Sequence, residues 1–261
     1  MTRRVQMLDW ILSRRVLPWL VTTVFFLLWE GAVVAFDIQP FILPAPSLIG
    51  STFIERWEPI SSNSLQTLMT TLVGLGMAIV VGIALGLAIS AHEKVYAGLY
   101  PLLVAFNSIP KVALVPLLVI WFGIGTIPAI LTAFLISFFP IVVNIATGIA
   151  TVEPELNDLM RSLRARRLTI LRKVGLPRTL PYFFAALKVS VTLAFVGSVI
   201  SETVAANAGI GYMMVVAGSR FDVPLVFAGL MAIGAMGILL YQAAEWLERK
   251  LTFWAMRNTP S

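Results

Sequence analysis

Cysteine is absent from the 261-residue chain, and histidine occurs once. Disulfides are therefore excluded, and a zinc-type His/Cys centre lacks its ligands. Charge is scarce as well: 12% of residues are Asp, Glu, Lys or Arg, against roughly 25% in a soluble domain. A net charge of +6 with no soluble face to carry it argues against nucleic acid as a partner. No GxxxxGK[ST] phosphate loop occurs, so ATP hydrolysis is not expected on this chain. Acids are thinly spread. Glu153, Glu155 and Asp158 form a sparse cluster without an aspartate-rich motif, which argues against a metal-dependent membrane enzyme.

Apolar length is what the chain has. Hydrophobic residues make up 59% and mean hydropathy is +0.91. Six stretches reach the roughly 20 residues that a membrane crossing needs: about 17–36, 65–90, 96–122, 127–151, 179–203 and 223–246. Pro101, Pro110 and Pro116 are expected to break the third, and Pro181 to open the fifth. The first contains Glu30 and lacks a small-x-small cleavage site, so it is expected to remain as a span. The expected fold is an all-α polytopic membrane protein. Residues 1–64 would supply the first span and an external loop, 65–255 a five-span core, and 256–261 a tail.

The cations partition sharply. Fifteen of nineteen lie before the first stretch, at Lys94, between the fourth and fifth, or after the sixth. Only Arg56 and Arg220 lie on the other side, with Lys111 and Lys188 in or near spans. The positive-inside rule then puts both termini and residues 152–178 in the cytoplasm.

Seven of these cations fall within RSLRARRLTILRKVGLPRTLP at 161–181. Acids precede them from Glu153 to Asp158, which suits a helix dipole. Leu156, Leu159, Met160 and Leu163 share one helical stripe. The segment is expected to form one or two short amphipathic helices, stopped at Gly175 and Pro177. Such helices either lie on anionic headgroups or fill a groove on a cytoplasmic protein.

A resemblance favours the second reading. Asp158-Leu159-Met160, then Arg164, then Val174-Gly175-Leu176-Pro177 resembles, in spacing, the cytoplasmic EAA loop of ABC-importer permeases. Leu43-Pro44-Ala45-Pro46-Ser47, Ser108-Ile109-Pro110 with ALVPLLVIWFGIG, FFPIVVN and SETVAANAGIGYMM are similar to segments of the nitrate/sulfonate/taurine/bicarbonate permease subfamily, in the same order. The resemblance implies a type I ABC importer-like membrane subunit of a bacterial inner membrane, not itself an enzyme. It implies a homodimer, two copies of a cytoplasmic ATPase holding ATP and Mg, an extracytoplasmic binding protein, and alternating access. The coupling contact would comprise Asp158, Leu159, Met160, Leu163, Arg164, Val174, Leu176 and Pro177. Arg164 stands where the family has a bend-forming glycine, so the bend is either altered or lost. Arg164, Arg166 and Arg167 would pair with acids on the ATPase or with lipid phosphates.

Polar residues within spans are costly, and five are candidates for the solute pathway: Asn107, Ser108, Lys111, Asn144 and Glu202. The alternative for Asn and Ser is hydrogen bonding within the bundle. Glu202 would otherwise face external water or pair with Arg220, and Lys188 would snorkel to the interface. A mid-depth Lys111 without a partner would favour an anionic solute such as a sulfonate or nitrate. A neutral pyrimidine-type vitamin precursor is the alternative solute, and an ion-coupled secondary transporter the alternative mechanism. Against that mechanism, no internal repeat is visible and acids deep in spans are few. Gly82 and Gly86 form a GxxxG for close packing, within the subunit or across a dimer. The loop GIGYMMVVAGSRFDVP would fold back into the membrane mouth or contact the binding protein.

Overall fold

The computed structural model describes residues 16–90, 93–151, 160, 162–165 and 167–252. Among these residues all regular structure is helical. This follows from the solvent: in lipid each backbone polar group must be satisfied within its own segment. Among the described residues five helices are long and apolar enough to cross a membrane, and a sixth apolar segment is a bent pair, with the form of a broken span or a re-entrant loop.

The chain divides into two compact units. One comprises residues up to Ile60 together with Met214–Met231. It contains α1 (Leu17–Ala35) and α2 (Pro46–Glu55). Asp37 takes φ 48° just beyond α1, and the Ile38 N–H returns to the Val33 carbonyl at 3.0 Å. This satisfies a carbonyl left open by the helix end. Pro46 then starts α2, where its missing N–H costs nothing. The next amide, Ser47, is an orphan donor, and Glu30 of α1 takes it: Ser47 N–H and Oγ–H reach the carboxylate at 3.0 and 2.6 Å. Glu30 thus ties the LPAPS turn to α1. Trp29 stacks on Phe26 and tilts against Phe227, at 6.0 and 5.8 Å between ring centres.

The other unit runs from Ser61 to Met213 and resumes at Ala232. Its centre is α3 (Trp57–Ser90), α6 (Thr126–Ala150) and α7 (Leu176–Ala205). Along α3, Gly74, Ala78, Gly82 and Gly86 recur every fourth residue, and all are buried. A Cβ on Gly82 would stand 2.8 Å from the Ile141 Cβ, and one on Gly86 2.7 Å from that of Ile145. The GxxxG pair therefore packs within the subunit, against α6. Each such glycine costs roughly 1 kcal/mol of helix propensity, and close backbone approach offsets it in a medium that offers no hydrophobic drive between helices. On α7, Gly197 meets Ala133, and the Ser190 hydroxyl donates to the Ser137 carbonyl at 2.8 Å. Phe134 and Phe138 stack at 5.5 Å beside this seam.

The third expected span is the bent pair. Helix α4 (Glu93–Ser108) leads through a 3₁₀ turn at Lys111–Leu114 into α5 (Val115–Phe122), with a bend of 76°. Three proline breaks were expected, and only Pro110 makes one. Pro101 lies inside α4, and Pro116 occupies the first turn of α5. Pro181 likewise lies inside α7 and does not open it. Two further helices follow, α8 (Ile210–Ser219) and α9 (Val223–Leu251). Between α7 and α9, Lys188 pairs with Glu248 at 2.6 Å, with side chains 25% and 18% exposed. That ion pair replaces the expected free snorkelling of Lys188.

Gly82→Val should push α3 off α6, cost about 1–3 kcal/mol by overpacking, and lower the thermal midpoint in detergent. Gly76, with open space around it, should accept alanine without loss. Equal midpoints for the two variants would refute the seam.

Candidate functional site

Expected site residues lie at both ends of α7, the coupling segment at its start and Glu202 near its finish. At its start, the basic segment joins the bundle without a stop. A helical turn at Arg167–Ile170 passes into a π-helical turn at Leu171–Gly175 and directly into α7. Gly175 and Pro177, expected to end a helix, instead lie in that turn and in the first turn of α7. Asp158, Leu159, Arg161 and Arg166 lie outside the described residues.

Within the described part, Arg164 takes φ 57°, and the Ala165 N–H returns to the Met160 carbonyl at 3.0 Å. This is the helix-ending pattern in which glycine usually takes the left-handed position. Here arginine takes that position, at a cost of roughly 1–2 kcal/mol. Phe221 does the same after α8, at φ 58°.

Leu163 points outward, 70% exposed, beside the exposed Arg164. Val174 and Met160 are half-buried. Leu176 and Pro177 line a cavity of about 310 Å³ with Ile83, Ile145, Arg172 and Phe183. The expected coupling residues thus divide: Leu163 and Arg164 form a projecting tip, while Leu176 and Pro177 root the segment in the bundle.

The expected pathway residues are not one group. Asn107 and Ser108 are exposed at the Pro110 bend. Lys111 folds back so that its Nζ donates to the Asn107 backbone carbonyl and Oδ1, at 2.5 and 2.6 Å. The ammonium is therefore partnered, and it caps the Asn107 carbonyl at the end of α4. Asn144 donates through Nδ2 to the Pro140 carbonyl on its own helix, at 2.9 Å.

Glu202 is 2% exposed. Its Oε2 accepts from the Thr67 hydroxyl at 2.8 Å and the Gly211 N–H at 3.2 Å, and its Oε1 from the Thr70 hydroxyl at 3.3 Å. The Ile210 N–H donates to Thr67 Oγ1 at 2.9 Å, the Gly209 N–H to Asn63 Oδ1 at 2.8 Å, and the Ser198 hydroxyl to Thr70 Oγ1 at 2.6 Å. Sequence reading flagged Glu202 and missed its partners. The pattern Asn63-x3-Thr67-x2-Thr70 on one face of α3 was the available signal.

Residues 78–253 match the family model described as "Binding-protein-dependent transport system inner membrane component". The chain belongs to this family. It is 35% identical to the formylaminopyrimidine transport permease protein ThiX of Halalkalibacterium halodurans, over 90% of this chain and 96% of the relative. It is 32% identical to the riboflavin transport system permease protein RibX of Chloroflexus aurantiacus, over 87% and 85%. Its fold matches that of the MetNI methionine ABC transporter in an inward-facing conformation, at TM-score 0.64 and 21% identity over 73% of this chain and 94% of that one. The chain is a membrane-spanning permease subunit of an ABC importer, with the type I fold.

In this permease Arg164→Gly should keep the bend and stabilise it by about 1 kcal/mol, whereas Arg164→Val should destabilise it, because a β-branched residue tolerates φ near +57° poorly. Limited proteolysis across residues 160–170 reads the difference, and faster cleavage of the glycine variant would refute the bend.

Proposed function

We propose that this permease moves a neutral, planar nitrogen heterocycle of pyrimidine type inward, driven by a separate ATPase that grips residues 152–178. Both termini lie in the cytoplasm, as the cation partition supports. Two copies pair in the membrane, each with one ATPase, and a binding protein delivers cargo to the opposite face. ATP and Mg are held by the ATPase. Asp158, Leu159, Met160, Leu163 and Arg164 make the docking contact, and Val174, Leu176 and Pro177 pass its movement into α7.

The observation that carries the cargo class is the partnered state of Lys111. Two of the three Lys111 N–H groups are held by the backbone and side-chain oxygens of Asn107, so the ammonium is less free to grip a sulfonate or nitrate than an unpartnered one. Relatives that carry a formylaminopyrimidine and riboflavin support the same choice. In a strain lacking this chain, restoring it should return uptake of labelled formylaminopyrimidine and leave taurine uptake unchanged. Taurine uptake alone would overturn the cargo class.

The docking contact rests on the outward Leu163 beside a bend. Leu163→Asp should cut co-purification of the ATPase by about tenfold, the effect of burying an unpaired carboxylate in an apolar groove. Normal stoichiometry in that variant would place the contact elsewhere.

A further inference from the structure

A carboxylate 2% exposed inside a membrane bundle is expensive unless something requires it. Among the described residues the donors to Glu202 are neutral: the Thr67 and Thr70 hydroxyls and the Gly211 amide. A hydrophobic residue would pack there at lower cost. What the carboxylate supplies is a set of acceptors at one point where three elements meet.

Those elements are α3, α7 and the start of α8. A helix begins with N–H groups that have no partner in the helix itself. At the start of α8 three successive amides are taken by side chains of other helices: Gly209 by Asn63, Ile210 by Thr67, and Gly211 by Glu202. Space is cut to match. Gly209 sits at φ 107°, and a Cβ there would run into the Glu202 carboxylate. A Cβ on Gly211 would stand 2.5 Å from the Val199 carbonyl oxygen and 2.8 Å from the Glu202 Cβ. The glycines let the backbone of 209–211 press onto α7, and the three acceptors hold it there.

The position along α7 gives this grip a role. Helix α7 has 30 residues, a rod of about 45 Å. One end is continuous with the π-helical turn of the basic segment, and Glu202 lies one turn from the other. We propose that Glu202 is a positioning residue that couples α7 to α8, so that movement of the segment gripped by the ATPase reaches the helix on the face where the binding protein delivers cargo. Movement passes equally in reverse, because coupling between two sites is reciprocal. This rests on the importer reading above.

The test uses the complete importer in proteoliposomes with its ATPase and cargo-loaded binding protein. Two rates are read: basal ATP hydrolysis, and hydrolysis stimulated by the loaded binding protein. Glu202→Ala strips the acceptor from the Gly211 N–H and leaves the Thr67 and Thr70 hydroxyls only the carbonyls of their own helix. It should leave basal hydrolysis within about twofold and reduce stimulation roughly tenfold, as α8 loses its tie to α7. Glu202→Gln keeps an acceptor oxygen and should retain most of the stimulation. Asn63→Ala, a milder cut at Gly209, should lose part of the stimulation, and Asn63→Asp should restore it. Full stimulation in Glu202→Ala, or a parallel fall of basal and stimulated rates in both Glu202→Ala and Asn63→Ala, overturns the coupling role. A wild-type complex that neither binds the ATPase nor responds to a binding protein instead overturns the importer reading.

Discussion

The close approach of α3 to α6 is the constraint on which the rest of the core depends. Lipid gives two apolar helices little reason to associate, so packing must come from contact at short range. The stripe Gly74, Ala78, Gly82 and Gly86 allows that contact, and Ile141 and Ile145 fill the space it leaves. Once α3 lies on α6, Asn63, Thr67 and Thr70 reach the end of α7, where Ser198 and Glu202 meet them. Ile83 and Ile145, on the same seam, border the cavity at the other end. Apolar contact thus sets the spacing, and polar contact sets the register at the margin.

Much of the fold was legible because the solvent leaves few choices. Apolar runs of spanning length, and a basic segment between the fourth and fifth, required only hydropathy and charge. Proline was misread for a physical reason. Pro116 occupies a first helical turn, where a missing N–H is harmless, and Pro101 and Pro181 sit within helices that continue through them. Pro110 alone coincides with the bend.

The sites were legible in identity and not in partnership. Glu202 stood out as an acid within a span, yet Thr67 is 135 residues away in sequence, and no local pattern joins them. Glu30 and Ser47 are separated by 17 residues and a turn, so the LPAPS turn read as a motif without a reason; capping across two helices supplies it. At Arg164 side-chain identity pointed to a strained backbone, and the residue does take the left-handed conformation that glycine adopts without cost.

The bend at Pro110 has a consequence for the surrounding bilayer. Its two arms hold 16 and 8 residues, about 24 and 12 Å of helix, and each is shorter than a hydrocarbon core of about 30 Å. Neither arm can match the membrane alone, and acyl chains cannot solvate the exposed backbone at the corner. That corner must face water or protein, so this side of the bundle offers the acyl chains two short apolar rods in place of one continuous helix.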